Sequence, residues 1–239
     1  MLHHDPVLET TTALPPEAVR ALSYWSARPG EIVTVTGPDG TLFRARIVNL
    51  SSLEALVVPF ERWPRTSGIR GRLAVYQALP QKERFELILE KLTELGVDRI
   101  APFTSRRSVT LQQRDAGQKK SHKWPEVVLR AAKQCRRDML PELAPVLAWT
   151  QVLQEIARSD HRMMLYEGRD LPALGEAGAE ALGNIALLIG PEGGFSEDEV
   201  REARAAGIVP VSLGRRILRT ETAAIVATAI LQYCLGDLG

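Results

Sequence analysis

Apolar and polar residues alternate with a period of two in three segments near the start of the chain. These are EIVTVTG (31–37), TLFRARIVNL (41–50) and EALVVPF (54–60). Each predicts a half-buried strand. GPDG (Gly37 to Gly40) supplies a turn between the first two. ERWPRTSGIRG (61–71) breaks the alternation with Pro and Gly and reads as a linker. Residues 1–70 are therefore expected to form a small β domain, and residues 71–239 a second domain. From Arg72 the rhythm changes. LAVYQAL (73–79) predicts a strand. QKERFELILEKLTELG (81–96) predicts a helix with Phe85, Ile88, Leu92 and Leu95 on one stripe and Gly96 as its C-cap. VDRIAPF (97–103), RMMLYE (162–167), IALLIG (185–190) and a strand ending at Gly214 follow. A basic helix is expected over Trp124 to Arg137, and LPALGEAGAEALGN (171–184) reads as a helix and loop. Strands separated by helices argue for an α/β fold with a mostly parallel sheet covered on both faces.

Composition narrows the class. The chain has 239 residues, 45% of them hydrophobic, enough to bury a core. No apolar run approaches the roughly 18 residues of a membrane span, so no membrane partner is expected. MLHHDPVLET lacks the apolar stretch of a signal peptide, and Cys135 and Cys234 form no CxxC pair. Both features predict a cytoplasmic protein with reduced thiols. His3 and His4 read as a terminal tail rather than metal ligands. The net charge of +1 is unevenly spread. Thr104 to Arg137 holds ten Lys or Arg against two acids, while Asp138 to Pro210 holds five against thirteen. Such asymmetry fits a polyanion on one face; it equally fits two blocks that neutralise each other across the fold.

Two segments carry candidate chemistry. In IALLIGPEGGFSEDEV (185–200) a buried strand ends at Gly190, Pro191, Gly193 and Gly194 force a turn, and Ser196 with Glu199 forms a capping box that starts a helix. Strand, glycine turn and helix let backbone amides approach a nucleotide-like ligand. The segment is neither a P-loop nor a GxGxxG fingerprint; a tight turn without a ligand is the plain alternative. In VSLGRRILRTETAAIVATAILQYCL (211–235) a polar loop holding Arg215, Arg216, Arg219, Thr220, Glu221 and Thr222 precedes a helix that is apolar almost all round. Such a helix is expected to be buried on every side, which at a chain end calls for a second subunit. The loop suits a charged substrate, with a solvated loop as the alternative.

LIGPEGGFSEDE, LGRRILRTETAA, KLTELGVDRIAPF and AAKQCRR together resemble the ribosomal RNA small subunit methyltransferase E family of the SPOUT class. The resemblance covers roughly residues 72–239. It implies a trefoil-knotted α/β domain preceded by a PUA-like β-barrel, a homodimer, and S-adenosylmethionine as the methyl donor to N3 of a uridine in 16S ribosomal RNA of the small subunit. Carried over by position, it implies cofactor contacts at Ile189, Gly190, Glu192, Gly193 and Gly194. It implies others at Leu213, Gly214, Ile217, Leu218 and Thr222, and at Leu165 and Glu167. The opening segment VRALSYWSARPG departs from the family pattern.

Uridine N3 carries a proton, so the site requires a base or a cation that stabilises the uridine anion. Arg219 and Glu221 are the local candidates. Arg106 and Arg107, at a strand end, and Lys133, Gln134, Arg136 and Arg137, at a helix end, are the expected RNA contacts. Two other readings stay open: a SPOUT enzyme acting on transfer RNA, and an RNA-binding protein without catalysis.

Overall fold

In the computed structural model the chain is described at residues 2, 4–63, 71–80, 84–115, 121–137, 139–168, 170–181 and 183–238. It divides into two units, residues 1–67 with 132–139, and residues 68–131 with 140–239.

The smaller unit is built on the three alternating segments. It comprises β1 (Thr12–Ala13), α1 (Pro16–Tyr24), β2 (Ile32–Thr36), β3 (Leu42–Leu50) and β4 (Ala55–Trp63). The strands form an antiparallel sheet in the order β1-β4-β3-β2. Val33, Val35, Phe43, Ala45, Ile47 and Val57 point to one side and bury Val19 and Leu22 of α1. Strand β4 runs to Trp63, three residues into the expected linker, because Glu61, Arg62 and Trp63 find partners in β3. The rest of that linker, 64–70, lies outside the described residues, as does His3. Residues 132–139 pack with this unit. Lys133 Nζ lies 2.8 Å from Glu31, and the Thr34 hydroxyl donates to the Arg136 carbonyl at 3.0 Å. The Lys133 ammonium holds the Glu31 carboxyl below the usual carboxylate range. The pair therefore favours the fold at neutral pH and lapses as acid protonates the carboxyl.

The larger unit runs β5 (Gly71–Ala78), α2 (Arg84–Glu94), β6 (Arg99–Thr104), α3 (Leu111–Asp115), α4 (Trp124–Cys135), β7 (Glu142–Leu143), β8 (Leu147–Ala148), α5 (Trp149–Ile156), β9 (His161–Leu165), α6 (Leu174–Ala179), β10 (Gly183–Ile189), α7 (Glu197–Ala205), β11 (Val209–Val211) and α8 (Thr220–Leu235). Its sheet has the order β11-β9-β10-β5-β6-β7, with β8 also on β6. Every pairing is parallel. Both faces are covered, so the central strands are apolar over most of their length, with Gln77 of β5 a buried exception. Leu73, Val75, Ile185, Leu187 and Ile189 meet Phe85, Ile88 and Leu92 of α2 and Ala224, Ala227 and Leu231 of α8. The intervening Tyr76, Ala78, Ala186 and Leu188 meet Val152 and Ile156 of α5 and Val200 and Ala203 of α7. Among the described residues no helix is long and apolar enough to cross a membrane.

Two expectations need correction, the end of the basic helix and the ends of two strands. The basic helix stops at Cys135, not Arg137; Arg136 turns to φ +60° and the Arg137 amide bonds back to the Ala132 carbonyl at 3.0 Å. The two strands expected to reach Glu167 and Gly214 end at Leu165 and Val211, where the chain leaves the sheet. Within one chain helix α8 keeps an exposed side, the side for which the sequence calls for a second subunit. Thr222, Val226 and Tyr233 form an exposed stripe, Val226 at 37% and Tyr233 at 70% exposure.

Phe85 is wholly buried, its ring 4.6 Å from that of Trp124 in an edge-on contact. Phe85→Ala is expected to lower unfolding free energy by about 3–5 kcal/mol. Urea denaturation followed by circular dichroism measures this; a loss under about 1 kcal/mol would show that α2 is not part of the cooperative core.

Candidate active site

Strands β9, β10 and β11 are neighbours and run in parallel, so their carboxyl ends lie on one edge of the sheet. That edge is where open α/β sheets bind ligands, because chain segments diverging from adjacent strands leave a crevice. Here the loops after the three strands enclose a cavity of about 460 Å³.

The loop after β10 is shaped by its own residues. The Gly194 amide bonds to the Pro191 carbonyl at 2.9 Å, and Gly194 adopts φ +65°. Phe195 then turns under the loop beside Phe103 and Trp149. A Cβ at Gly190 would lie 3.1 Å from the Phe195 ring. Ser196 caps α7: its hydroxyl accepts from the Glu199 amide, and Glu199 Oε2 accepts from the Ser196 amide at 2.8 Å. The fully buried Glu199 also accepts from the Arg106 amide at 2.8 Å.

The loop after β11 is held by Ser212, whose hydroxyl accepts from the Gly214 amide at 3.0 Å. The Tyr166 amide bonds to the Val211 carbonyl at 3.1 Å and ties in the loop after β9. At the end of the β11 loop the Thr220 hydroxyl donates to the Gly190 carbonyl at 2.7 Å and accepts from Gln77 Nε2 at 3.0 Å. Gln77 is fully buried at the end of β5. A single junction thus joins β5, the glycine turn and the start of α8.

Leu165, Glu167, Ile189, Gly190, Glu192, Gly193, Gly194, Leu213, Gly214, Ile217 and Leu218 line the cavity, as does Arg219. Thr222 and Glu221 do not. A helix turns about 100° per residue, so with Thr220 and Ala223 facing the cavity, Thr222 points outward. Glu221 Oε1 lies 3.9 Å from Arg84 Nε, and its buried Oε2 has no hydrogen-bond partner among the described residues. Arg107 lines the cavity and donates to the Gly193 carbonyl at 2.9 Å. Arg106 pairs with Asp198 and with Glu202, so this part of the basic block meets the acidic block. Hydrogen bonds from Arg106 and Arg201 hold the Asp198 carboxyl below its usual range. Lys133, Gln134, Arg136 and Arg137 belong to the smaller unit, with Gln134 and Arg136 exposed.

Sequence reasoning missed Arg84 and Gln77, and it named Thr220 in the polar loop without its partners Gly190 and Gln77. Arg84 lines the cavity and bonds Glu192 at 3.0 Å. In the sequence it is one more charge in a helix's first turn, with no signal to mark it. Gln77 did carry one: it is the lone amide in the apolar strand LAVYQAL.

Residues 69–232 match the family model of the RNA methyltransferase domain. The chain is 34% identical over 217 residues to a ribosomal RNA small subunit methyltransferase E from Mycobacterium bovis, covering 88% of this chain and 81% of that protein. The chain belongs to the ribosomal RNA small subunit methyltransferase E family. A family relative from Synechocystis is 30% identical, covering 97% of this chain and 76% of that protein. The family member from Neisseria gonorrhoeae, solved bound to S-adenosyl methionine, matches with a TM-score of 0.70 at 30% identity, covering 97% of this chain and 95% of that one.

Thr220→Val keeps the shape of this family member's junction but removes its hydroxyl, leaving the Gly190 carbonyl and the Gln77 amide short of a partner. The expected cost is about 1–3 kcal/mol of stability, read from chemical denaturation. A change within about 0.5 kcal/mol would show that water replaces the hydroxyl without loss.

Proposed function

We propose that this chain transfers a methyl group from S-adenosylmethionine to N3 of a uridine in small-subunit (16S) ribosomal RNA. The carrying observation is the convergence of three strand-end loops, matching the implied cofactor segments, on one cavity. Its volume lies within the range of pockets that enclose small molecules, about 300–1,000 Å³. The lining suits the cofactor: Gly190 to Gly194, Leu213, Gly214 and Leu218, apolar Leu165 and Ile217, and the acidic residues Glu167 and Glu192. Gly214 adopts φ +102°, with nothing within 4 Å of where a side chain would begin, so a ligand can approach its backbone closely.

Bound S-adenosylmethionine supplies an electrophilic methyl group on a sulfonium sulfur. The protein's part is to hold the uridine in line with it. Arg219 precedes the first turn of α8, lines the cavity and is exposed. Its guanidinium can donate to the uracil oxygens and stabilise the anion left when N3 gives its proton to solvent water. Glu221 is assigned a supporting role. It sits in the first turn of α8, where a carboxylate interacts favourably with the helix dipole, and beside Arg84.

The same reading assigns the chain a trefoil knot, a PUA-like barrel in the smaller unit and a homodimer. The smaller unit's antiparallel sheet and its exposed Gln134 and Arg136 support its reading as an RNA-binding domain. The exposed stripe through Val226 and Tyr233 on α8 supports the dimer, since a second copy would cover it. Ribosomal RNA as substrate supports a cytoplasmic location.

Isothermal titration with S-adenosylmethionine and mapping of the methylated nucleotide in ribosomal RNA test the whole reading. For Arg219→Ala, cofactor affinity should stay within about threefold while the single-turnover rate falls about 100-fold, the effect of losing one preorganised donor. Lost affinity with an unchanged chemical rate would make Arg219 a cofactor contact instead. Light scattering should give a dimer mass at micromolar concentration; a single-chain mass would refute the dimer.

A further inference from the structure

We propose that Arg107 is a positioning residue for the glycine turn, its guanidinium holding the Gly193 carbonyl so that the turn keeps the shape that receives the cofactor. The proposal rests on the reading of this turn as part of the S-adenosylmethionine site.

Two adjacent glycines, Gly193 and Gly194, make the turn intrinsically loose, because glycine populates more backbone conformations than any other residue. Within the turn one backbone bond, from the Gly194 amide to the Pro191 carbonyl, closes the chain. The Gly193 carbonyl belongs to neither helix nor sheet and needs a donor from elsewhere. Arg107 Nη1 supplies it at 2.9 Å and approaches the Phe195 carbonyl at 3.5 Å. The arginine stem lies against the turn: a Cβ at Gly193 would sit 3.3 Å from Arg107 Cβ and 3.5 Å from its Cδ. Any side chain at 193 would therefore crowd the arginine stem, which would have to give by a few tenths of an ångström, and Gly193→Val would press on Arg107.

A positioning residue must itself be fixed. Ser105 to Ser108 form a closed turn after β6, with the Ser105 amide bonded to Ser108 Oγ at 2.9 Å and Ser108 Oγ donating to the Ser105 carbonyl at 3.1 Å. The next amide, that of Arg106, is held by the buried Glu199 carboxylate at 2.8 Å. That carboxylate also caps α7, the helix that follows the glycine turn. One carboxylate thus anchors the segment presenting Arg107 and the helix after the turn, with the Arg107 guanidinium bridging the gap between them.

The competing role for this exposed arginine of the basic block is a contact to RNA phosphate, and the two roles predict different measurements. The experiment uses the full chain with Arg107→Met, which keeps the stem and removes the donors, and Arg107→Lys, which restores one donor. Thermal unfolding first checks that both variants fold. Titration with S-adenosylmethionine in the absence of RNA should show at least tenfold weaker binding for Arg107→Met and partial recovery for Arg107→Lys. Amide hydrogen exchange of residues 190–195 without cofactor should speed up in Arg107→Met. The salt dependence of binding to a small-subunit ribosomal RNA fragment should keep the wild-type slope. Unchanged cofactor affinity together with unchanged exchange overturns the proposal. So does a salt slope flattened by about one with cofactor affinity intact, which assigns Arg107 to a phosphate. If the wild-type chain itself fails to bind S-adenosylmethionine, the functional reading falls and this proposal with it; the wild-type titration tells that failure apart from one confined to Arg107.

Discussion

The Thr220 hydroxyl is the point on which the site's geometry turns. It accepts from Gln77 and donates to the Gly190 carbonyl, so one oxygen joins the end of β5, the turn after β10 and the first residue of α8. All three positions are buried or nearly so, where a mispaired polar group is costly and a satisfied one confers uniqueness. This junction ties the glycine turn directly to the end of the loop of Leu213 to Arg219. With it, they form two walls of one cavity.

The glycines of the turn serve separate ends, although they look alike in the sequence. Gly190 makes room for the ring of Phe195, which stacks toward Phe103 and roots the turn in the aromatic core. Gly193 makes room for the stem of Arg107. Gly194 and Gly214 have open space where a side chain would start and are required for positive φ. The turn is thus a set of close approaches, most of them to the protein itself, that leave the backbone facing the cavity.

Charge is distributed by the same logic. The basic and acidic blocks meet in part: Arg106 reaches Asp198 and Glu202, while Lys133 reaches Glu31 in the smaller unit. Exposed pairs of this kind contribute little to stability and can exchange partners. Four arginines line the cavity, Arg84, Arg107, Arg216 and Arg219. Arg84 is held by Glu192 and Arg107 by a carbonyl, whereas Arg219 stands at the helix start with its side chain exposed.

The sequence by itself determined the main strands, the helices around the site and the main site loops, but not α1 or α5. Period-two alternation marked β2, β3 and β4. Apolar runs broken by helical stripes marked the parallel sheet, and Ser196 with Glu199 marked the start of α7, because each of these signals acts within one turn or one strand. The segments around Gly190 and Gly214 were legible for the same reason. What only the tertiary structure decided depends on residues far apart in the chain. Gln77 and Thr220 meet across 143 positions. Arg107 finds Gly193, and Arg84 stands between Glu192 and Glu221, through sheet order alone. Thr222 shows the limit from the other side. It lies in the right motif, yet the phase of α8, set by packing Ala224, Ala227 and Leu231 against the sheet, turns it out of the cavity. Motif position is local information; the direction a side chain faces is fixed by what the rest of its helix must bury.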